Sequence, residues 1–167
     1  PLTSGWETDR WTLFVDVSNH DINGTTAKAM VDTRGPNVHY WTNDEIGLRL
    51  HGDIAEDGTM ATYSGSIVFA DSSCKVGDKK EGTVTIDGEE LNYSIEIAGV
   101  EDVTVPAGTF ANCLKVTFLI YPSADLSSNY GYETIWLAEN VGFVKAEADE
   151  DAESEIFVDA GDTRQLL

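Results

Sequence analysis

Leu91-Asn-Tyr-Ser-Ile-Glu-Ile97 alternates apolar and polar residues without a break. That period of two places Leu91, Tyr93, Ile95 and Ile97 on one face of a strand and Asn92, Ser94 and Glu96 on the other. Leu114-Lys-Val-Thr-Phe-Leu-Ile120 repeats the pattern, with both faces turning apolar towards its end. Near the start, Trp11-Thr-Leu-Phe-Val-Asp-Val17 puts Trp11, Leu13, Val15 and Val17 on one side. Working outward, further strands are expected at Thr26–Asp32, Val38–Thr42, Gly47–Ile54, Met60–Phe69, Gly82–Ile86, Tyr130–Leu137, Val141–Ala148 and Glu155–Val158. Asn23-Gly24, Asp57-Gly58 and Asp87-Gly88 are dipeptides that accept positive φ in tight hairpins. Short connections make neighbouring strands antiparallel. No window of a dozen residues carries a helical period, and a single turn of helix is read near Ala124–Ser128. The expected fold is all-β: one antiparallel domain over residues 1–167. It should hold about ten or eleven strands, as a curved sheet, a sandwich or a partly closed barrel.

The bulk numbers narrow the setting. At 167 residues and 41% hydrophobic content the chain can bury a core. No apolar run approaches the roughly 18 residues of a membrane-spanning helix. The chain opens on Pro1 without a signal peptide, which reads as a mature or excised product whose targeting segment has been removed. Thirty acidic residues against ten basic ones give a net charge of −20. Such a surface repels phosphate backbones and disfavours anionic membranes, so nucleic acid is not an expected partner. It suits a basic protein, divalent cations, or plain solubility outside the cell.

Three segments resemble a known family. Val103-Thr-Val-Pro-Ala-Gly-Thr-Phe110 is followed by Asn112-Cys-Leu-Lys-Val116 and later by Trp136-Leu-Ala-Glu-Asn-Val-Gly-Phe-Val-Lys145. Together they resemble secreted bacterial lipoprotein-like domains of unknown function, whose pattern runs V-x-V-P-A-G-x-F-x-x-C-L-K-V and then W-x-A-x-x-V-G-x-V-K. Pro1-Leu-Thr-Ser-Gly-Trp6 with Trp11 resembles that family's P-L-x-x-G-x-x-W opening, and Lys75-Val-Gly-Asp78 its K-V-G-D step. One departure is Glu139-Asn140, where the family often has Pro-Gly; Asn140 can still take the left-handed conformation a hairpin needs. The resemblance implies an antiparallel β fold at an extracellular or cell-surface location, the periplasm included, and it brings no chemistry. Its motifs read physically as architecture. Pro106 fixes φ, Gly108 permits positive φ, and Phe110 returns to the core, which makes a rigid corner between two strands.

Cys74 and Cys113 fit no metal or redox spacing; in an oxidising compartment they are a candidate disulfide, and otherwise two buried thiols. The resemblance places Cys113 on a recurrent family cysteine and gives Cys74 no partner. Glu147, Asp149, Glu150, Asp151, Glu153 and Glu155 put six carboxylates in nine residues. They read as a solvated hairpin tip, a contact for a basic partner, or a cation site. Asn19-His-Asp-Ile-Asn-Gly24 begins like a calcium loop, but Met30 stands at the twelfth position where a carboxylate is required, so a hairpin turn is expected. His20, His39 and His51 show no ligand spacing. Ser64-Gly-Ser66 lacks a nucleophile elbow. Trp41, Tyr130 and Tyr132 are candidates for an exposed aromatic platform, whereas Trp11 and Trp136 fall on apolar strand faces.

The expected function is therefore non-catalytic, with no cofactor and no metal. The chain should act outside the cell by protein–protein binding, as an accessory or decorating subunit of a surface assembly or filament. Its partner would carry a basic surface or be a polymeric surface protein. A carrier of an apolar ligand on a curved sheet and a carbohydrate-binding module are the alternatives.

Overall fold

A computed structural model describes residues 13–32, 38–54, 58–122, 132–149 and 163–165. Eleven strands follow one another: β1 (Leu13–Ile22), β2 (Thr25–Asp32), β3 (Val38–Asp44), β4 (Gly47–Ile54), β5 (Met60–Ala70) and β6 (Lys79–Ile86). They continue as β7 (Glu89–Val105), β8 (Gly108–Pro122), β9 (Glu133–Ala138), β10 (Gly142–Ala148) and β11 (Thr163–Gln165). All belong to one antiparallel sheet in chain order, and no helix occurs among the described residues. The expected strand at 155–158, the helical turn near 124–128, and Trp6, Trp11 and Tyr130 lie outside the described residues.

The hairpins form where turn chemistry demands them. Asn23 and Gly24 take φ of 51° and 83° between the paired residues Ile22 and Thr25. Asp87 and Gly88 do the same at 51° and 88° between Ile86 and Glu89. Both are left-handed pairs that match the twist of the flanking strands. The calcium-like start at Asn19–Gly24 is thus a hairpin. Pro106-Ala107 makes the corner from β7 to β8, closed by the pair Val105–Gly108. Asn140 sits at φ 61°, and the Val141 N–H donates to the Ala138 carbonyl at 3.2 Å.

Strands β7 and β8 run longer than their alternating cores because bulges bend them instead of ending them. Register shifts fall between Ile97 and Gly99 and between Glu101 and Val103. Bulges re-aim side chains, and here they turn β7 from one cluster into another. Ile95 and Ile97 enter the main core, while Val103 and Val105 join Cys113, Trp136, Ala138 and Val144.

The sheet curls on itself into a half-barrel. Trp41 of β3 meets Phe143 of β10 edge to face at 5.6 Å between ring centroids, although these strands stand far apart in the strand order. Trp41 also packs on Phe69 at 5.2 Å, and Phe69 on Phe118 at 4.9 Å. These aromatic pairs occupy the middle of the curl and gain beyond simple burial from their tilted geometry. The corner lies in β5, whose pairing with β4 breaks register between Thr62 and Ile67 and which pairs with β6 only through Tyr63 and Ser64, inside that break. Gly65, at φ 101°, marks the bend.

Of the seven inward residues expected from alternation on β7 and β8, Ile95, Ile97, Val116 and Phe118 are buried, whereas Leu91, Tyr93 and Leu114 are half-buried against the same core. Tyr93 lies across Gly82 of β6, where an added Cβ would come within 2.5 Å of its hydroxyl. A third small cluster (Ile22, Ala27, Ala29 and Tyr40) lies on the outer face of β1–β3. The β1–β2 tip reaches back over the sheet, with Asn23 Nδ2 donating to the Tyr63 carbonyl at 3.1 Å.

Candidate functional site

Two hairpin tips at one end of the half-barrel face each other across a groove of about 750 Å³. One wall is formed by Asp44, Glu45 and Gly47 of the β3–β4 turn; the other is the β9–β10 turn, Glu139 to Gly142. Leu48, Leu114 and Leu137 lie between them. Turns normally carry polar residues, yet each of these carries a branched apolar one. Ile46 is 59% exposed and Val141 is 48% exposed.

Local hydrogen bonding fixes the first wall. The Asp44 carboxylate accepts the Ile46 N–H at 2.9 Å and also holds the Arg49 guanidinium. The Ile46 amide and then Arg49 hold the Asp44 carboxyl below the usual aspartate range. Gly47 follows at φ 130°, tight against the end of β5; an added Cβ would stand 2.2 Å from the Ala70 carbonyl oxygen. Asp71, on the same rim, is bound by Lys80, which with Ser73 draws its carboxyl well below the usual range. Asp44 and Asp71 are therefore internally compensated. Glu45 and Glu139 are not: neither has an ion pair or hydrogen bond among the described residues. Each wall thus carries one uncompensated carboxylate, next in sequence to exposed Ile46 in one turn and two residues from exposed Val141 in the other.

A buried polar group occupies the opposite end of the curl. The Tyr63 hydroxyl donates to Asp53, and burial pushes the Asp53 carboxyl above its ordinary value. Burial, the Asp53 charge and then Glu133 and Asp87 push Tyr63 well above the usual tyrosine range. Glu133 itself is 1% exposed. A carboxyl raised on folding contributes stability below its unfolded pKa and loses it as pH rises through the folded one. Asp53→Asn, which still accepts from Tyr63, is expected to raise the thermal midpoint at neutral pH. The gain should vanish below the ordinary aspartate value, where both side chains are neutral. Thermal melts across that pH range check this, and an unchanged or lowered neutral midpoint would count against it.

The residues singled out by sequence fare differently. Cys74 and Cys113 are both free thiols, so the candidate disulfide is not formed. The reason is placement. Cys74 packs at the edge of the main core, where its sulfur accepts the Asp71 N–H at 3.2 Å. Cys113 is enclosed in the second cluster and donates to the Phe110 carbonyl at 3.4 Å, with its thiol pushed up by burial. Trp41 is 7% exposed and belongs to the core, so it forms no surface platform with Tyr132. Tyr132 is exposed and exchanges backbone and side-chain hydrogen bonds with Asp149. Glu147 is ion-paired with Lys145 on its own strand. Glu150, Asp151, Glu153 and Glu155 lie outside the described residues. Trp136 is buried, donates to Glu101 at 2.6 Å, and lies between Lys115 and Lys145. His51 is buried, with Nε2 2.9 Å from the Thr42 hydroxyl, and burial lowers its pKa. No group of three or more His, Cys, Asp or Glu residues converges as a metal site among the described residues.

The groove was missed because its parts are distant in sequence. Its one visible sign is an apolar residue inside each of two polar turns, Asp44-Glu-Ile-Gly47 and Glu139-Asn-Val-Gly142.

Fold and groove together define a class: an all-β half-barrel domain whose strands pair in chain order and whose open end is apolar between acidic tips. A family model described as DUF3108-like matches residues 17–154, and the chain belongs to that uncharacterised family. No curated protein and no solved structure matches it. No helix among the described residues is long and apolar enough to cross a membrane.

Proposed function

We propose that this chain is a non-catalytic extracellular or cell-surface protein that acts by binding another protein, as an accessory or decorating subunit of a surface assembly or filament. The observation that carries the reading is the open groove, with Val141 exposed on one wall and Ile46 exposed on the turn that supplies the other. Exposed aliphatic side chains beside an apolar floor are what a protein partner covers. The net charge of −20 favours a basic surface on that partner and speeds encounter with it. The carrier alternative needs room inside the curl, and the rings of Trp41, Phe69, Phe118 and Phe143 take up that space. The sugar-binding alternative loses Trp41 from its platform.

The test is chemical cross-linking and capture from the native extracellular fraction, with wild type and an Ile46→Ser/Val141→Ser double variant. One protein should be retained by the wild type and lost by the variant, at unchanged thermal midpoint. Equal retention by both would remove the groove from the interface.

A further inference from the structure

Resting on the protein-binding reading, we infer that the groove takes a segment of the partner in which an apolar side chain is flanked on both sides by lysine or arginine. Three observations combine. The floor offers Leu48, Leu114 and Leu137 to an apolar side chain. Val141 adds an exposed aliphatic side chain on one wall, and Ile46 stands exposed on the turn that carries the other, at the rim where a bound segment would leave the groove. Beside each of these aliphatic residues stands a carboxylate, Glu45 on one wall and Glu139 on the other, without a cation partner among the described residues.

The contrast along the rim is what assigns charge to the occupant. Asp44 and Asp71 lie on the same rim and are each matched by a cation of this chain, Arg49 and Lys80. Glu45 and Glu139 are left for cations from outside. A carboxylate beside an apolar contact is partly desolvated when a partner covers it, and an opposite charge at that point offsets the cost. An acidic or neutral segment would leave both carboxylates covered and uncompensated. Charge therefore sets which segment is accepted, and the apolar floor holds it.

Three synthetic peptides test this: a leucine flanked on each side by lysines, the same leucine flanked by glutamates, and the same leucine flanked by serines. Binding is read by fluorescence anisotropy at low and high salt against the whole chain. The lysine-flanked peptide should bind roughly tenfold more tightly than the serine-flanked one, with the gap narrowing as salt rises. Glu45→Gln/Glu139→Gln should remove most of that gap. Glu89→Gln/Glu90→Gln, at the β6–β7 turn on the far end, removes the same amount of charge and should leave the gap in place.

Equal weakening by the two glutamine pairs would assign the preference to the overall acidic field and overturn the inference. Equal binding of lysine-flanked and serine-flanked peptides would overturn it as well, and so would no binding of any peptide. Loss of the lysine-flanked peptide in Ile46→Ser/Val141→Ser, with no change in Glu45→Gln/Glu139→Gln, would keep the groove as the partner site while overturning the charge assignment.

Discussion

Phe118→Ala is expected to lower the free energy of unfolding by about 3–5 kcal/mol. Phe118 is 1% exposed in the middle of β8, and its ring stands 4.9 Å from that of Phe69. It therefore meets the other half of the curl as well as its own strand neighbours Ile95 and Glu133. Removing the ring loses its transfer free energy and leaves a cavity that stiff β-branched neighbours such as Ile67 and Ile135 fill poorly. Leu91→Ala, at the half-buried rim of the same core, should cost clearly less, since the site stays open to water. Denaturant titration checks both, read as a shift in midpoint at constant slope. An unchanged midpoint for Phe118→Ala would show that the inward face of β8 is misassigned.

Gly47→Ala is expected to destabilise by roughly 2–5 kcal/mol, although it adds one methyl group. Two costs coincide. The backbone stands at φ 130°, a conformation that side-chain-bearing residues rarely adopt. The new Cβ would also stand 2.2 Å from the Ala70 carbonyl oxygen, which belongs to a paired strand and cannot turn away. Gly99→Ala is the control, because nothing lies within 4 Å of a Cβ added there. The two variants should separate in thermal melts, with Gly47→Ala far below wild type and Gly99→Ala close to it. Gly47→Ala should also lose peptide binding at temperatures where it remains folded, because the β3–β4 wall must shift to make room. Wild-type stability together with wild-type binding would contradict the tight approach at that wall.

Much of the fold was legible before any coordinates. Strand β4 has the bounds its sequence predicts, Gly47–Ile54, and the hairpin at Asn23-Gly24 is where the dipeptide places it. Alternation and turn residues are local signals, and a meander is assembled from local pairings. Of the two bulges in β7, only the first has a cue in the sequence, Gly99 inside the strand; nothing marks the second, between Glu101 and Val103. For the same reason Val103 and Val105 could not be separated from the main core. Trp41 was misread because both neighbours of an aromatic in a short strand are compatible with either face until the curl brings Phe143 against it. Both readings of the cysteines, a disulfide or two thiols, stay open in the sequence because separation along the chain says nothing about which cluster encloses a thiol. The carboxylate run from Glu147 drew attention by density, whereas Glu45 and Glu139 stand out only once the cations Arg49 and Lys80 are seen to be taken by their neighbours.

The pairing of β3 with its sequence neighbours, and of β10 with its own, leaves the two groove walls without any ladder between them. They meet because the sheet closes, through contacts such as that between Trp41 and Phe143. The groove is thus a property of the closed curl and disappears when the sheet opens. Anything that grips both tips at once acts as a noncovalent staple, binding the closed form in preference to the open one and adding its own binding free energy to closure. Occupancy and closure are then two readings of a single equilibrium: a partner seated across Ile46 and Val141 makes the whole half-barrel harder to open.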